Sequence, residues 1–276
     1  MVAISGTYDV MLVPLLMPIS HVLNFLPPQV RNMEPSPLIP FTSGEIQALG
    51  LDTLAYNSAA NHPVMLELGY QDHSGPGPRL LRPSFDEAKL EVLGIRHPKL
   101  QQSQQPQVAH NGFQFKQLIL FSNVVLATSS NIVAGLRSVL ARIDPHKSPS
   151  IYPVGQDDTI QYGVKDYIEA TFTKAGDGDA SSSAANNGAV SWAGRPWYGW
   201  RVSDSVTQFN FNLSNPQIGP VPYTAEVRVK IPSFYDPSKL IEASSVSPDW
   251  VEFDGVSAWR FKADYASQDT KVVDAV

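Results

Sequence analysis

The sequence predicts a mainly β chain whose strands close into a barrel or stack in layers. Three observations lead there. Short segments alternate apolar and polar residues at period two along most of the length. Turn formers are dense, with 23 prolines and 18 glycines in 276 residues. Helical periodicity is confined to short runs. Ten or more strands leave many edges, which closure or stacking removes. A chain of this length buries enough surface to fold without disulfides or a metal.

The elements follow in order. "YDVMLVPLL" (Tyr8–Leu16) reads as a strand. In "PISHVLNFLPP", Ile19, Val22, Leu23 and Leu26 recur at helical spacing, with Pro18 near the start and Pro27 and Pro28 stopping the helix. A strand from Val64 to about Tyr70 runs into a Gly/Pro turn, and "AKLEVLGIRH" is the next strand. "QQSQQPQVAHNG" is a polar loop, and "FQFKQLILFSN" suits a central strand. "VVLATSSNIVAGLRSVLARIDP" is expected to begin as a strand and end as a helix, with Ile132, Leu136, Val139 and Leu140 on one face. "DTIQYGVKDYIEATFTKA" reads as two strands about a turn at Gly163. Residues 176–189 are low in complexity and read as a mobile loop. "RPWYGWRV", "VTQFNFNL", "YTAEVRVKIP" and "GVSAWRFKADY" alternate again, and residues 266–276 are expected to fray. Strand patterns on both sides of the loop make residues 1–276 a single domain.

Composition excludes several functions. Cysteine is absent, which removes disulfides, thiolate catalysis, iron–sulfur clusters and Cys-type zinc sites. The net charge of −6 repels phosphate backbones, so nucleic acid is not an expected partner. The apolar start lacks a basic leader, and no uninterrupted apolar run is long enough for a membrane helix. The expectation is a cytoplasmic protein with no membrane partner. His21, His62, His73, His97, His110 and His146 are never spaced as a local metal site, so no metal and no other cofactor is expected. No GxGxxG, phosphate-cradling loop or GxSxG elbow occurs.

Up to about residue 175 the order of features resembles the acetoacetate decarboxylase superfamily. "YDVMLVPLLMPISHVLNFLPPQV" is similar to that family's first strand and short helix, and "PVMLELGYQDHSG" to its "FEIM…DxSG" strand. "FDEAKLEVLGI" resembles its "YTE" entrance, and "DTIQYGVKDYIEATFT" its later hairpin. The resemblance implies an acetoacetate decarboxylase-like closed β-barrel with a central pocket and a few short helices. It implies that Glu67 and Glu87 enter the pocket, where desolvation would suit them to acid/base work. It also implies a loss. The family's Schiff-base lysine lies in a "PKK" run, and the matching stretch here, "GLRSVLAR", puts Ser138 on or beside that position. The family's substrate-side arginine falls near Leu16, and no Lys-Lys pair occurs anywhere. Imine-based decarboxylation of acetoacetate is therefore not expected. Oligomers are common in the family, so a homo-oligomer is possible.

The residues themselves leave alternatives. Glu67 faces either a cavity or a solvated surface, and Glu87 either a cavity or a turn beside Asp86. Lys116 is the only lysine inside a strongly apolar strand; it is either a buried amine or a side chain that snorkels outward. Tyr70 and His73 end a strand beside a turn, where the histidine either shuttles a proton or makes a surface hydrogen bond. "WAGRPWYGW" brings Trp197 and Trp200 together beside Arg195, either as a wall for a flat ligand or as a packed corner. The expected function is a cofactor-independent lyase or cyclase acting on a medium-sized apolar carbonyl or enol metabolite. Glu87, Glu67 and Arg137 are its catalytic candidates. Tyr70, His73, Lys116, Ser138, Arg195, Trp197 and Trp200 are its substrate-binding candidates. The alternative is a non-catalytic binding or carrier barrel.

Overall fold

The computed structural model describes residues 3–100, 112–133, 135–145, 159–175, 182–237 and 250–274. The strands are β1 (Ser5–Pro18), β2 (Asn61–Gly75), β3 (Phe85–Ile95), β4 (Phe113–Phe121), β5 (Ser138–Leu140), β6 (Ile143–Asp144), β7 (Thr159–Val164), β8 (Ile168–Lys174), β9 (Trp197–Tyr198), β10 (Ser205–Phe211), β11 (Ile218–Lys230) and β12 (Trp250–Lys271). Between them lie α1 (Ile19–Phe25), α2 (Pro28–Arg31), α3 (Ser43–Ala48), α4 (Val124–Val133) and α5 (Ser182–Ala193). No helix among the described residues is long and apolar enough to cross a membrane.

The hydrogen-bonded path runs β1-β2-β3-β4-β9-β10-β12, and β12 pairs back onto β1. The ring is possible because β12 is 22 residues long and divides its edges. It meets β11 from Trp250 to Lys262, β1 from Trp259 to Ala266, and β10 from Tyr265 to Lys271. From β11 the sheet continues through β8, β7 and β6. This wing packs over the outer face of the ring. Leu66, Leu68, Ala88, Leu90 and Val92 share one core with Ile160, Phe172 and Val227. A second core fills the ring itself, with Val10, Leu12, Met65, Trp197, Phe209, Phe261 and Ala263 joined by Ile46 of α3 and Trp192 of α5.

Covering both faces reverses the usual meaning of alternation. A strand with one wet face turns its polar side out. In β3 the apolar residues Ala88, Leu90 and Val92 face the wing, so Glu87, Lys89 and Glu91 face the inside of the ring. Pro14 sits past the last β1–β12 pair, Leu12 with Trp259, where a missing N–H breaks no ladder to β12. Gly69 has no room for a side chain: an added Cβ would lie 2.5 Å from the Asp9 carbonyl oxygen and 2.8 Å from the Tyr8 ring.

Three segments depart from the sequence reading. Residues 124–133 are helical and 138–140 extended, the reverse of the expected order, because Ser138 to Leu140 pair in parallel with Ile119 to Phe121. Of the expected mobile loop, residues 182–189 open α5, whose later residues Ala189, Val190 and Trp192 bury their side chains in the ring core; residues 176–181 lie outside the described residues. The expected loop at 101–111 lies outside them too. The tail is not frayed before Lys271, because it is the β10-paired end of β12, and Val272 is buried after it.

Leu90→Ala should lower the unfolding free energy by about 2–5 kcal/mol, since Leu90 is fully buried between the layers; denaturant unfolding measures this. Deleting residues 268–276 removes the partners of Ser205 to Gln208. It should lower the melting temperature by several degrees in thermal unfolding followed by circular dichroism, where a frayed tail would leave it unchanged.

Candidate active site inside the strand ring

Five ionisable side chains project into the ring from three adjacent strands: Glu67 from β2, Glu87, Lys89 and Glu91 from β3, and Lys116 from β4. None is more than 2% exposed. Charges so buried persist only when paired, and here the sheet register supplies the pairs. Glu67 lies directly across from Lys89, and Glu91 directly across from Lys116. Lys89 Nζ is 3.0 Å from Glu67 Oε2 and 2.7 Å from Glu87 Oε1, while Lys116 Nζ donates to Glu91 Oε1.

The second pairing depends on a bulge. The β3–β4 ladder runs regularly from Glu87–Phe121 to Leu90–Leu118 and then skips Gln117, so that Glu91 meets Lys116. Were Gln117 paired in a regular ladder, Lys116 would oppose Val92 and point at the outer apolar core. Bulges commonly re-aim a side chain in this way. Gln117 bears the cost: its amide is buried, and neither polar atom has a hydrogen-bond partner among the described residues.

Aromatic faces and a polar clamp complete the surroundings. Lys89 Nζ sits 4.8 Å from the Tyr8 ring centroid and 5.6 Å from that of Phe209; Lys116 Nζ is 4.8 Å from Trp197 and 5.6 Å from Phe209. Such contacts favour the charged ammonium. Gln71 Nε2 donates to Glu87 Oε1 at 2.5 Å, and the Gln71 carbonyl oxygen accepts from Ser74 and Tyr265. Glu87 is thereby fixed from two sides.

The environment separates the acids. Burial raises the Glu67 carboxyl, but Lys89 and then Lys116 outweigh it and hold Glu67 below its ordinary value. Burial would also strip Lys89 of its proton, yet Glu67, Glu87 and Glu91 outweigh that and raise it, so Lys89 is an ammonium. Glu91 goes the other way. Burial, assisted by Glu67, exceeds the pull of Lys116 and Lys89 and lifts it to about 7.

Above these groups lies a cavity of about 320 Å³, at the small end of ligand pockets. Glu87, Lys89, Lys116, Gln71 and Ser74 supply its polar groups. Phe85, Ile119, Phe121, Trp197 and Phe209 supply apolar walls, and Leu126, Ser129 and Ser130 of α4 contribute to the lining. The arrangement can hold a largely apolar molecule and present one carboxylate and two ammonium groups to its polar end. Among the described residues no three His, Asp or Glu side chains converge as a metal site requires.

Of the residues singled out in the sequence, Glu87, Lys116 and Trp197 line the cavity, and Glu67 stands behind Lys89. The others do not line it. Arg137 donates to the carbonyl oxygens of Tyr235 at 2.7 Å and Phe234 at 3.4 Å, with its guanidinium 5.5 Å from the Trp200 ring. Trp200 and Tyr70 pack on the outer core. His73 lies in β2 at φ 46°, where the pairing with β1 is irregular, with its side chain 40% exposed. Ser138 is buried where its backbone bonds Asn131. Arg195 stacks 3.7 Å over Trp192. Neither Arg137, a catalytic candidate, nor Arg195, a substrate-binding candidate, lines this cavity, whose cations are Lys89 and Lys116. Ser138, which the resemblance put on or beside the family's lysine position, does not line the cavity, whereas Leu136 nearby contributes apolar wall. Lys89 and Glu91 were not anticipated. Their signal was the alternation Glu87, Lys89, Glu91, which reads as a solvated face unless both faces of the strand are known to be covered.

No protein-family model and no curated sequence matches the chain. The architecture has solved counterparts. The enduracididine biosynthesis enzyme MppR complexed with pyruvate aligns with a TM-score of 0.54 at 10% identity, over 98% of this chain and 90% of that one. The same enzyme with the condensation product of pyruvate and imidazole 4-carboxaldehyde gives 0.53 at 10% identity, over 98% and 88%. A structure of acetoacetate decarboxylase aligns over 99% of this chain and 89% of that one at 9% identity, with a TM-score of 0.49. At these identities the likeness is one of fold. The fold is mainly β, with a large sheet and few helices, and it is shared with MppR.

Lys89→Met leaves Glu67 and Glu87 without their shared cation and should cost about 3–5 kcal/mol in denaturant unfolding at neutral pH, with partial recovery as acid protonates the two carboxyls. Glu91 sets a second dependence. Its folded value, about 7, exceeds the ordinary 4.5. The stability it contributes is complete below about pH 4.5 and is lost as the pH rises through about 7. Unfolding free energy compared across that window should fall more steeply in the wild-type protein than in Glu91→Gln.

Proposed function

We propose that the chain is an enzyme of small-molecule biosynthesis that works by acid/base catalysis, without a cofactor, on a medium-sized and largely apolar metabolite bearing a carbonyl or enol. Glu87 is its proton-transferring carboxylate, and Lys89 and Lys116 stabilise negative charge developing on the substrate oxygen. The observation that carries this reading is Glu87 in the wall of an apolar cavity, held at 2.7 Å by Lys89 and at 2.5 Å by Gln71. A fixed carboxylate beside fixed cations in a dry site stabilises an enolate more strongly than water does, because the groups need no reorganisation as charge appears. Decarboxylation of a β-keto acid, dehydration of a β-hydroxy carbonyl compound and aldol-type cyclisation each pass through an enol or enolate, so one device serves a lyase or a cyclase. The apolar walls would fold the substrate against it. MppR, which shares the fold, is a biosynthesis enzyme complexed with pyruvate, itself a carbonyl compound.

Two lysines reach the cavity, but both are paired with acidic side chains, and the carboxylates around Lys89 hold it as the ammonium, not the free amine that imine formation needs. Chemistry without a covalent intermediate is the simpler use of this site. A second reading, a binding barrel without chemistry, draws support from the same pairing, since every charged group at the cavity already has a partner.

Glu87→Gln should lower turnover of a responsive apolar ketone by about 10²–10⁴-fold while leaving its affinity within a few-fold, measured by steady-state kinetics and calorimetry. Unaltered binding with no turnover in either protein would leave the binding barrel standing. Borohydride treatment in the presence of acetoacetate should yield no adduct by mass spectrometry. A stable adduct on Lys89 or Lys116 would replace the acid/base mechanism with an imine.

A further inference from the structure

The interior cluster does not balance. Three carboxylates, Glu67, Glu87 and Glu91, share it with two ammonium groups, Lys89 and Lys116. Lys89 serves both Glu67 and Glu87, and Lys116 serves Glu91 through one oxygen. The other, Glu91 Oε2, is buried with no hydrogen-bond partner among the described residues. A buried carboxylate oxygen without a donor is costly, and the cost falls when a proton removes the charge. The groups facing Glu91 are Lys116 from β4, Lys89 from its own strand and Glu67 from β2, with the aromatic rings of Tyr8, Trp197 and Phe209 around the two lysines. Glu91 does not line the cavity, whereas Lys116 does. Among the described residues Lys116 both hydrogen-bonds Glu91 and lines the cavity, so a proton on Glu91 reaches a ligand through Lys116.

We propose that Glu91 stores a proton beneath the cavity and delivers it through Lys116 to the carbonyl oxygen of the bound substrate. This rests on the enzyme reading above and assigns the acid that reading lacks. The step balances. Glu87 takes a proton from the carbon beside the carbonyl, the electron pair of that C–H bond forms the enol double bond, and Lys116 Nζ gives a proton to the carbonyl oxygen. The proton on Glu91 then passes to Lys116 Nζ. The ketone has become its enol, one proton has moved from Glu91 to Glu87, and the total charge of the cluster is unchanged. The reverse path returns the proton when the enol or enolate collapses to product. Burial keeps Glu91 protonated up to about pH 7, so the store is filled in mildly acidic solution and empties above it. Lys116 is the catalytic residue of the pair and Glu91 its positioning and supplying residue.

Two measurements test this on the full chain. Infrared difference spectra across the pH range, without any ligand, should show a carboxylic-acid C=O band that is lost as the pH passes about 7 and is missing from Glu91→Gln. Hydrogen–deuterium exchange beside the carbonyl of 2-octanone, followed by NMR, should fall in the wild-type protein over the same range. In Glu91→Gln it should be at least tenfold slower and lose that limb. Should Glu91→Gln fail to fold, the double variant Glu91→Gln/Lys116→Gln leaves no charge unpaired and must also lack the band. A band that persists in either variant, or Glu91 ionised throughout, overturns the stored proton. A band that behaves as expected beside an unchanged exchange profile in Glu91→Gln overturns its delivery. If the wild-type protein shows the band but catalyses no exchange, the enzyme reading falls, and delivery with it.

Discussion

Pairing of charge inside a closed ring of strands is the constraint on which the rest of this structure depends. Five ionisable groups are almost wholly out of water, and each would cost several kcal/mol if left alone. The cross-strand pairs Glu67–Lys89 and Glu91–Lys116 tie β2 to β3 and β3 to β4 at single registers. A slip of one residue would turn every one of these charges into the apolar layer beneath the wing, and would turn Leu90 and Val92 into the polar cluster. The ion pairs thus select the register as well as furnish the site. The same residues specify the fold and equip the cavity.

The wing makes the polar interior possible. A barrel that filled its inside with leucine and valine would need a polar outside. Here the outer face of β1 to β4 is apolar because β7, β8 and β11 cover it, and that outer layer can supply the burial that stabilises the chain. The interior is then free to hold charges, aromatic rings and an unfilled volume. The long strand β12 reconciles the two parts, since it borders the ring on one edge and divides the other between ring and wing.

The strands were legible in the sequence because period-two alternation survives whichever face is polar, and α1 because two prolines bracket it. What alternation could not say is which face is inside. In β3 the pattern of Glu87, Lys89 and Glu91 is that of an ordinary solvated surface, and only the presence of the wing reverses it. Lys116 was noticed as a lysine in an apolar strand, but its direction depends on the bulge at Gln117, and no local composition marks that bulge. Arg137 and Trp200 attracted attention by residue type, and they do meet, but on the outer core, where a guanidinium over an indole closes a corner. Residue type showed where chemistry was possible. The topology decided which of those places share a cavity.

A ring of inward-facing positions also explains how chemistry can move within one architecture. In the segment after α4, Leu136 forms apolar wall of the chamber. The chain's own amines come from β3 and β4 and enter the same chamber. Any inward position on the ring views the same enclosed volume, so an ammonium can be supplied from one strand or from its neighbour while the sheet stays as it was. Each of these amines lies across a ladder from a carboxylate. That geometry favours a held proton over a free nucleophile, and it turns a scaffold able to host covalent chemistry toward the transfer of protons.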